Sequence, residues 1–332
     1  MMITTRRSFI SKTTLGLVGL SITKLAEANN IFGELSFPIA LTTGKHGLMV
    51  NEAAWEILSG GGYALDAVEA GIRLAEADPG INSVGYGSFP DSRGKITLDA
   101  CIMNDRGDAG SVAFLQCIKH PVSVARQAME KTPHGMLSGK GAEFFAFDNG
   151  FKKEKLLTNE MRRRWRKWKK GEQGTGEEHR NEAMPEEDFD SIGMLAIDEK
   201  GRLCGACSAG GAPFMMHGMV GSSSIFGAGL YIDGEVGGAV AAGSVELIIK
   251  NLCAFMVVEF MRSGMSPEEA CNAVIARIVK KNPDNTNLQI GFIALTRSGE
   301  TGAASLHPGF NYAIKSKSTS ILREAGSWFK KL

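Results

Sequence analysis

The stretch Asp190-Ser191-Ile192-Gly193-Met194-Leu195-Ala196-Ile197-Asp198 sets the reading of the whole chain. An acidic residue precedes a hydroxyl residue, and an apolar run follows at once. Upstream lies a charged stretch with little core-forming content, and downstream the most glycine-rich part of the protein. Two readings are open. In one, Ser191 starts a strand after a loop. In the other, the Asp190–Ser191 bond is cut and Ser191 becomes an N-terminus, so that one residue carries both a hydroxyl nucleophile and an amine base.

Working downstream, Ile192 to Ile197 and Leu203 to Ser208 read as strands joined by Glu199-Lys200-Gly201-Arg202. Cys204 and Cys207 form a lone C-x-x-C with no second pair and no His cluster, which argues against zinc and for buried free thiols. His217 stands alone in a Gly- and Met-rich loop, where a structural hydrogen bond and a ligand role both remain open. Ile225 to Asp233 and Glu235 to Ala242 form a hairpin about Asp233-Gly234. Gly243-Ser244 leads into one long apolar helix, Val245 to Met261, followed by a helix from Pro267 to Lys280. Leu288 to Leu295 pairs with Thr301 to Leu306, and Tyr312 to Lys315 forms a last edge strand.

Working upstream, the polar linker at about 171–190 lacks apolar periodicity and is expected to be mobile. Before it, Arg162-Arg163-Arg164-Trp165-Arg166-Lys167-Trp168-Lys169-Lys170 marks either nucleic-acid or membrane contact or the solvated end of a helix. The acidic residues that follow, Glu177-Glu178 and Glu186-Glu187-Asp188, partly compensate it and favour the solvated helix. Helices are expected at Asn51–Leu58 with Asn51 as N-cap, Ala64–Leu74, Pro121–Lys131 and Ser138–Phe147. Strands are expected at Phe37–Thr43, Lys95–Met103 and Gly110–Phe114. Ser83-Val84-Gly85-Tyr86-Gly87 lacks phosphate-loop spacing, so it is not read as a nucleotide site. Residues 1–28 carry a twin arginine, Arg6-Arg7, a short apolar segment and a small-x-small site at Ala26-Glu27-Ala28. They read as a twin-arginine signal and imply a periplasmic or otherwise exported protein.

The remaining bulk properties exclude more than they assign. With 43% hydrophobic and 22% charged residues, the chain is expected to fold as a soluble globular protein. A net charge of +1 gives no whole-protein field for nucleic acid. Hairpin turns dominate the strand order, so two mainly antiparallel sheets with helices outside are expected.

Several strings in order carry a family likeness: Asn51-Glu52-Ala53-Ala54-Trp55, Gly62 to Glu69, Ser83 to Gly87, Thr97-Leu98-Asp99-Ala100, Asp190 to Met194, and His217-Gly218-Met219-Val220-Gly221. Through them the chain resembles the glycosylasparaginases, N-terminal-nucleophile hydrolases, from about residue 38 to about 315. The resemblance implies an α/β four-layer αββα sandwich made as one precursor, residues 29–190 forming the α-chain part and 191–332 the β-chain part. It implies autocleavage between Asp190 and Ser191, with Ser191 as catalytic nucleophile in place of the family's threonine. It maps the substrate-binding positions onto Met219, Val220, Gly221, Ser222, Ala242, Gly243, Ser244 and Val245, and the nucleophile's surroundings onto Ser208 and Ala209. It further implies a small amide or glycosylated-asparagine substrate, a homodimer of cleaved protomers, and no cofactor or metal.

Where this chain departs from the pattern, it is less polar. Met219 and Ser222 stand where the family's Arg and Asp hold the α-carboxylate and α-amine of asparagine. Ala242 replaces an oxyanion-hole threonine, and Ala209 one that bonds the nucleophile. The Thr43-Gly44-Lys45-His46 region lacks the family's Trp, and Phe189 replaces its His. A lost oxyanion donor costs about 10²–10³ in rate. Three expectations follow: an amidohydrolase with a shifted substrate, an inactive descendant that binds a ligand or partner, or an ordinary glycosylasparaginase whose missing groups come from Lys45, His46, Ser208 or Ser244.

Overall fold

The computed structural model describes residues 37–171, 191–283 and 288–330. The twin-arginine segment, Asp190 and nearly all of the expected linker lie outside these residues. Among the described residues two sheets stack face to face, each covered on its outer side by helices. The larger has eight strands: β1 (Ile39–Thr43), β2 (Leu98–Met103), β3 (Ala109–Leu115), β4 (Met136–Ser138), β5 (Ile192–Ile197), β6 (Leu203–Ala209), β11 (Asn311–Lys315) and β12 (Ser320–Glu324), in the order β12-β11-β1-β5-β6-β2-β3-β4. The smaller has five: β7 (Leu230–Asp233), β8 (Gly237–Gly243), β9 (Ile290–Thr296), β10 (Thr301–Ser305) and β13 (Gly326–Ser327), in the order β13-β10-β9-β8-β7. Pairing is antiparallel except at one edge of each sheet, β3 with β4 and β10 with β13.

Alternation along the central strands builds this layering. In β5, Ile192, Met194 and Ala196 face outward and pack with Val50, Ala54 and Leu58 of α1 (Gly47–Leu58) and Leu65, Val68 and Ile72 of α2 (Ala64–Ala77). Helices α3 (Pro121–Lys131) and α4 (Gly139–Asp148) extend the same layer. The smaller sheet is covered by α6 (Val245–Asn251), α7 (Cys253–Arg262) and α8 (Pro267–Lys281), through Val257, Val258, Val274 and Ile278 against Ala239, Ala241, Phe292 and Ala294. The other set of alternate residues meets between the sheets. A Cβ on Gly193 would lie 2.2 Å from Val240 Cγ1, and one on Gly238 would lie 3.1 Å from Leu195 Cδ2. Glycine at these places lets β5 and β8 approach closely.

Three local expectations are corrected. Asn51 does not cap a helix: α1 begins at Gly47, and Asn51 is buried inside it, its Oδ1 accepting a 2.6 Å bond from Thr42 Oγ1. The long helix 245–261 is two helices, broken at Leu252, which has φ 47°. The break has a backbone cause, because the amides of Ala254 and Phe255 donate to Ala228 O (3.1 Å) and Gly227 O (2.8 Å). The strand at 311–315 is no edge, for β1 and β12 flank it. Cys204 and Cys207 are buried and free, and their spacing of three places them on opposite faces of β6. Burial pushes the Cys204 thiol up to about 12.

The cationic run forms α5 (Asn159–Gly171). Met161, Trp165 and Trp168, spaced i, i+4, i+7, make its docked face, with Met161 buried and the tryptophans half-buried. Trp165 Nε1 donates to Ser92 O at 3.3 Å, and Trp168 stacks on Phe214 with ring centroids 4.8 Å apart. Among the described residues no helix is long and apolar enough to cross a membrane.

Candidate active site

The candidate site lies where the central strands of the larger sheet reach one end of the sandwich. The pairing of β5 with β6 runs from Ile197↔Leu203 to Ile192↔Ser208, and one residue further it brings Ser191 alongside Ala209. Ala209 is in turn the partner of Asp99 on β2. Ser191, Ala209 and Asp99 therefore form a row across three strands, about 5 Å from one strand to the next. All three fall on the inner face, in phase with Gly193, Leu195 and Cys207. The contacts between sheets run antiparallel, Leu195 with Gly238 and Gly193 with Val240. Two residues further, the same progression sets Ser191 level with Ala242, next to Gly243. Ser191 is partly exposed.

Thr43 holds the head of β5 in place. The regular β1–β5 ladder ends at Thr42↔Met194. Beyond it the Thr43 hydroxyl accepts from the Gly193 amide at 2.9 Å and donates to the Ser191 carbonyl at 3.3 Å. Thr43 is buried, so these bonds are shielded from water. One side chain thus fixes the backbone on both sides of Ile192.

Asp99 ties the loop 219–222 to the same row. Its carboxylate accepts from the amides of Gly221 (2.7 Å) and Phe114 (2.8 Å). Burial pushes its pKa up to about 6, and the two amides pull against that rise. Gly221 and Ser222 are buried at the tie, whereas Met219 and Val220 are partly exposed. The loop is held a second time at His217, whose Nδ1 lies 2.5 Å from Asp91 Oδ2, while Asp91 Oδ1 accepts from the amides of Arg93 and Lys95.

The third wall is the end of β8. Ala242 is buried, and Gly243, with φ 115°, turns the chain where a Cβ would meet Gln289 O at 2.4 Å. Ser244 and Val245 are partly exposed at the start of α6. The Ser244 amide donates to Gln289 O at 2.9 Å. Its hydroxyl oxygen is buried and has no hydrogen-bond partner among the described residues, and the same holds for Ser223.

Ser208 is not brought to this group. It shares the outer face with Ile192, and its hydroxyl donates to Glu76 Oε1 at 2.8 Å beneath α2. Glu76 also accepts from the Val122 amide at 3.1 Å and faces His120 Nδ1 at 3.4 Å. Burial raises the Glu76 pKa, so its proton stays bound to a higher pH than that of a solvated glutamate. Of the two residues expected around the nucleophile, Ala209 shares its face and Ser208 serves the helix layer. The sequence reading does not place Thr43, Asp99, Asp91 or Glu76 among the site residues. The available signal was Asp99, an acid at the head of an apolar strand, where burial demands partners. Among the described residues no group of three or more His, Cys, Asp or Glu side chains is placed to hold a metal ion.

Comparison with known proteins shows the family. The family model described as Asparaginase matches residues 42–321. The chain belongs to the asparaginase family of N-terminal-nucleophile hydrolases. It is 44% identical over 330 residues to the N(4)-(beta-N-acetylglucosaminyl)-L-asparaginase of Elizabethkingia miricola, covering 97% of this chain and 95% of that protein. The proteins of the same name from Rattus norvegicus and Mus musculus are 37% and 35% identical, covering 70% and 76% of this chain and 74% and 80% of their own lengths. The two stacked sheets between helix layers are consistent with an N-terminal-nucleophile sandwich. Within this family the chain carries Ser191, Met219, Ser222, Ala209 and Ala242 at the row, the loop and the β8 wall just described.

Proposed function

We propose that the protein is an exported amidohydrolase that cuts itself between Asp190 and Ser191 and then hydrolyses a side-chain amide of the glycosylated-asparagine type. The observation that carries this reading is the placement of Ser191. It is partly exposed at the head of a central strand on the face between the sheets, and Thr43 clamps its carbonyl. Family membership and the names of the relatives supply the reaction class.

In self-cleavage the Ser191 hydroxyl adds to the Asp190 carbonyl carbon, and the peptide C–N bond breaks as the acyl group moves from nitrogen to oxygen. Water then hydrolyses that ester, leaving a carboxylate on Asp190 and a free amine on Ser191. Such an amine has an ordinary pKa of about 7.7–8.0, suited to general-base work near neutral pH. In turnover the amine takes the hydroxyl proton, the oxygen attacks the substrate amide, and the proton leaves with the departing amine. Water then releases the acid. Ala242 has no side-chain donor, so oxyanion stabilisation falls to backbone amides and to neighbours such as the Ser244 hydroxyl.

Met219 and Ser222 bring no charge to the loop beside Asp99, and this supports a substrate shifted away from a free asparagine head group. Two charge-assisted hydrogen bonds, each contributing about 1.5–3 kcal/mol, are absent relative to an Arg and Asp pair. That difference corresponds to roughly 10² to 10⁴-fold in affinity for the free amino acid. The twin-arginine segment supports export, and family membership supports a homodimer of cleaved protomers. The test is release of product from N-acetylglucosaminyl-asparagine and from its N-acylated, C-amidated form. The reading expects turnover that Ser191→Ala abolishes, with the capped substrate preferred. Absence of turnover on both would leave a non-catalytic binding protein.

A further inference from the structure

The cationic helix α5 is the feature that the hydrolase reading leaves unused. Its tryptophans face the protein. Trp165 sits over Gly94, where a Cβ would lie 2.9 Å from the indole, and Trp168 stacks on Phe214, which packs edge-on against Phe89 at 6.0 Å. Arg164 completes the anchor, with its guanidinium 5.6 Å over the Phe89 ring and 2.7 Å from Glu160. The ground beneath the helix belongs to the site. Ser92 accepts the Trp165 N–H, its amide bonds Met215 O at 2.8 Å, and Phe214 lies in the loop that continues through His217 to Met219 and Gly221.

The outer side of the helix is left to Arg162, Arg163, Arg166, Lys167 and Lys170, all exposed, while the Lys169 ammonium lies 5.0 Å over the Trp165 ring at the edge of the docked face. At 13 residues the helix is about 20 Å long. The aromatic packing fixes which side of the helix is docked, so these charges share, as one strip, the side turned away from the protein. We propose that this strip is a subsite for the acidic sugar residues of an anionic glycan, whose amide-linked end lies in the Ser191 site. This rests on the hydrolase reading above.

Three observations choose this occupant. Guanidinium groups along the first half of the helix and ammonium groups along the second can pair with carboxylates or sulfates spaced along a chain. The tryptophans are occupied by Phe214 and Gly94, so no exposed aromatic platform remains on α5 for stacking nucleic-acid bases. The helix also lacks an exposed apolar face, which a membrane-surface helix needs.

The experiment is equilibrium binding of a tetragalacturonate to the full chain, with neutral chitotetraose as control. Binding of the acidic tetramer is expected. It should weaken roughly tenfold between about 0.01 M and 0.1 M salt, as the screening length falls from about 30 Å to about 10 Å. The variant Arg162→Gln/Arg166→Gln/Lys170→Gln should bind about tenfold more weakly, yet melt at the same temperature and hydrolyse N-acetylglucosaminyl-asparagine at the same rate. Equal affinity in wild type and variant overturns the proposal. So does tighter binding to a DNA duplex or to phosphatidylglycerol vesicles than to the tetramer. No binding also overturns it. If the enzyme turns over no glycosylated asparagine while the tetramer still binds through α5, the hydrolase reading fails and the binding strip stands.

Discussion

Thr43→Val removes one hydroxyl and keeps the side chain's shape, which makes it a sharp probe of how Ser191 is held. The Gly193 amide loses its 2.9 Å acceptor inside the protein, and the Ser191 carbonyl loses a weaker 3.3 Å donor. A buried amide left unpaired costs about 1–3 kcal/mol. Adding the second, weaker bond at about 0.5–1 kcal/mol brings the loss to about 1.5–4 kcal/mol. At about 2–4 °C per kcal/mol for a chain of this size, the melting temperature should fall by about 3–16 °C. The larger effect should be on chemistry, because a nucleophile misplaced by about 1 Å can lose about 10²-fold in rate. The assays are thermal melting and the time course of precursor cleavage, followed on a denaturing gel. Thr43→Ser keeps the hydroxyl and should cleave within severalfold of the wild type. A Val variant that melts and cleaves like the wild type would refute the claim that Thr43 positions Ser191.

Further predictions concern the neighbours of this clamp. Asp99, with its pKa pushed up to about 6 by burial, favours the folded state while protonated. That contribution is complete below about pH 4 and is lost as pH rises through about 6, by about 3 kcal/mol. Asp99→Asn should therefore flatten the fall in urea-unfolding stability between pH 4 and 6; a slope equal to the wild type would count against a protonatable Asp99. Gly193→Ala would place a Cβ 2.2 Å from Val240 Cγ1 and 2.9 Å from Cys207 Sγ. It should cost about 1–3 kcal/mol by overpacking and slow cleavage by moving the head of β5, and an unchanged melting curve would show that the sheets are less closely apposed there. Ser244→Ala removes a buried hydroxyl that has no partner among the described residues, so stability should be unchanged or slightly raised while KM for the amide substrate rises. If KM stays constant, that hydroxyl does not meet substrate.

The layer arrangement was legible because alternation and hairpin turns are local. Ile192, Met194 and Ala196 announce one buried face of β5, and Gly193 with Leu195 announces the other. What local pattern does not carry is register between distant strands. Ser208 and Ala209 were expected together around Ser191, yet adjacent strand residues face opposite ways, and only the pairing Ile192↔Ser208 decides which one joins the nucleophile. The break at Leu252 was hidden for a similar reason, since its cause is the capture of two amides by a loop some 25 residues earlier in the chain. Asn51 looked like a cap because caps and buried helix asparagines share a composition, and the decisive partner, Thr42, lies on the preceding strand. The tryptophans of α5 read from sequence as a possible contact surface because their partners, Phe214 and Ser92, are distant in the chain.

The central claim is that Ser191 frees its own amine, and intact mass of the purified protein tests it most directly. The account predicts two chains whose masses sum to that of the processed precursor plus one water, the second chain beginning at Ser191, and a single uncut chain for Ser191→Ala. A wild-type protein that stays one chain through long incubation, or a Ser191→Ala variant that is cut at the same bond, would contradict it.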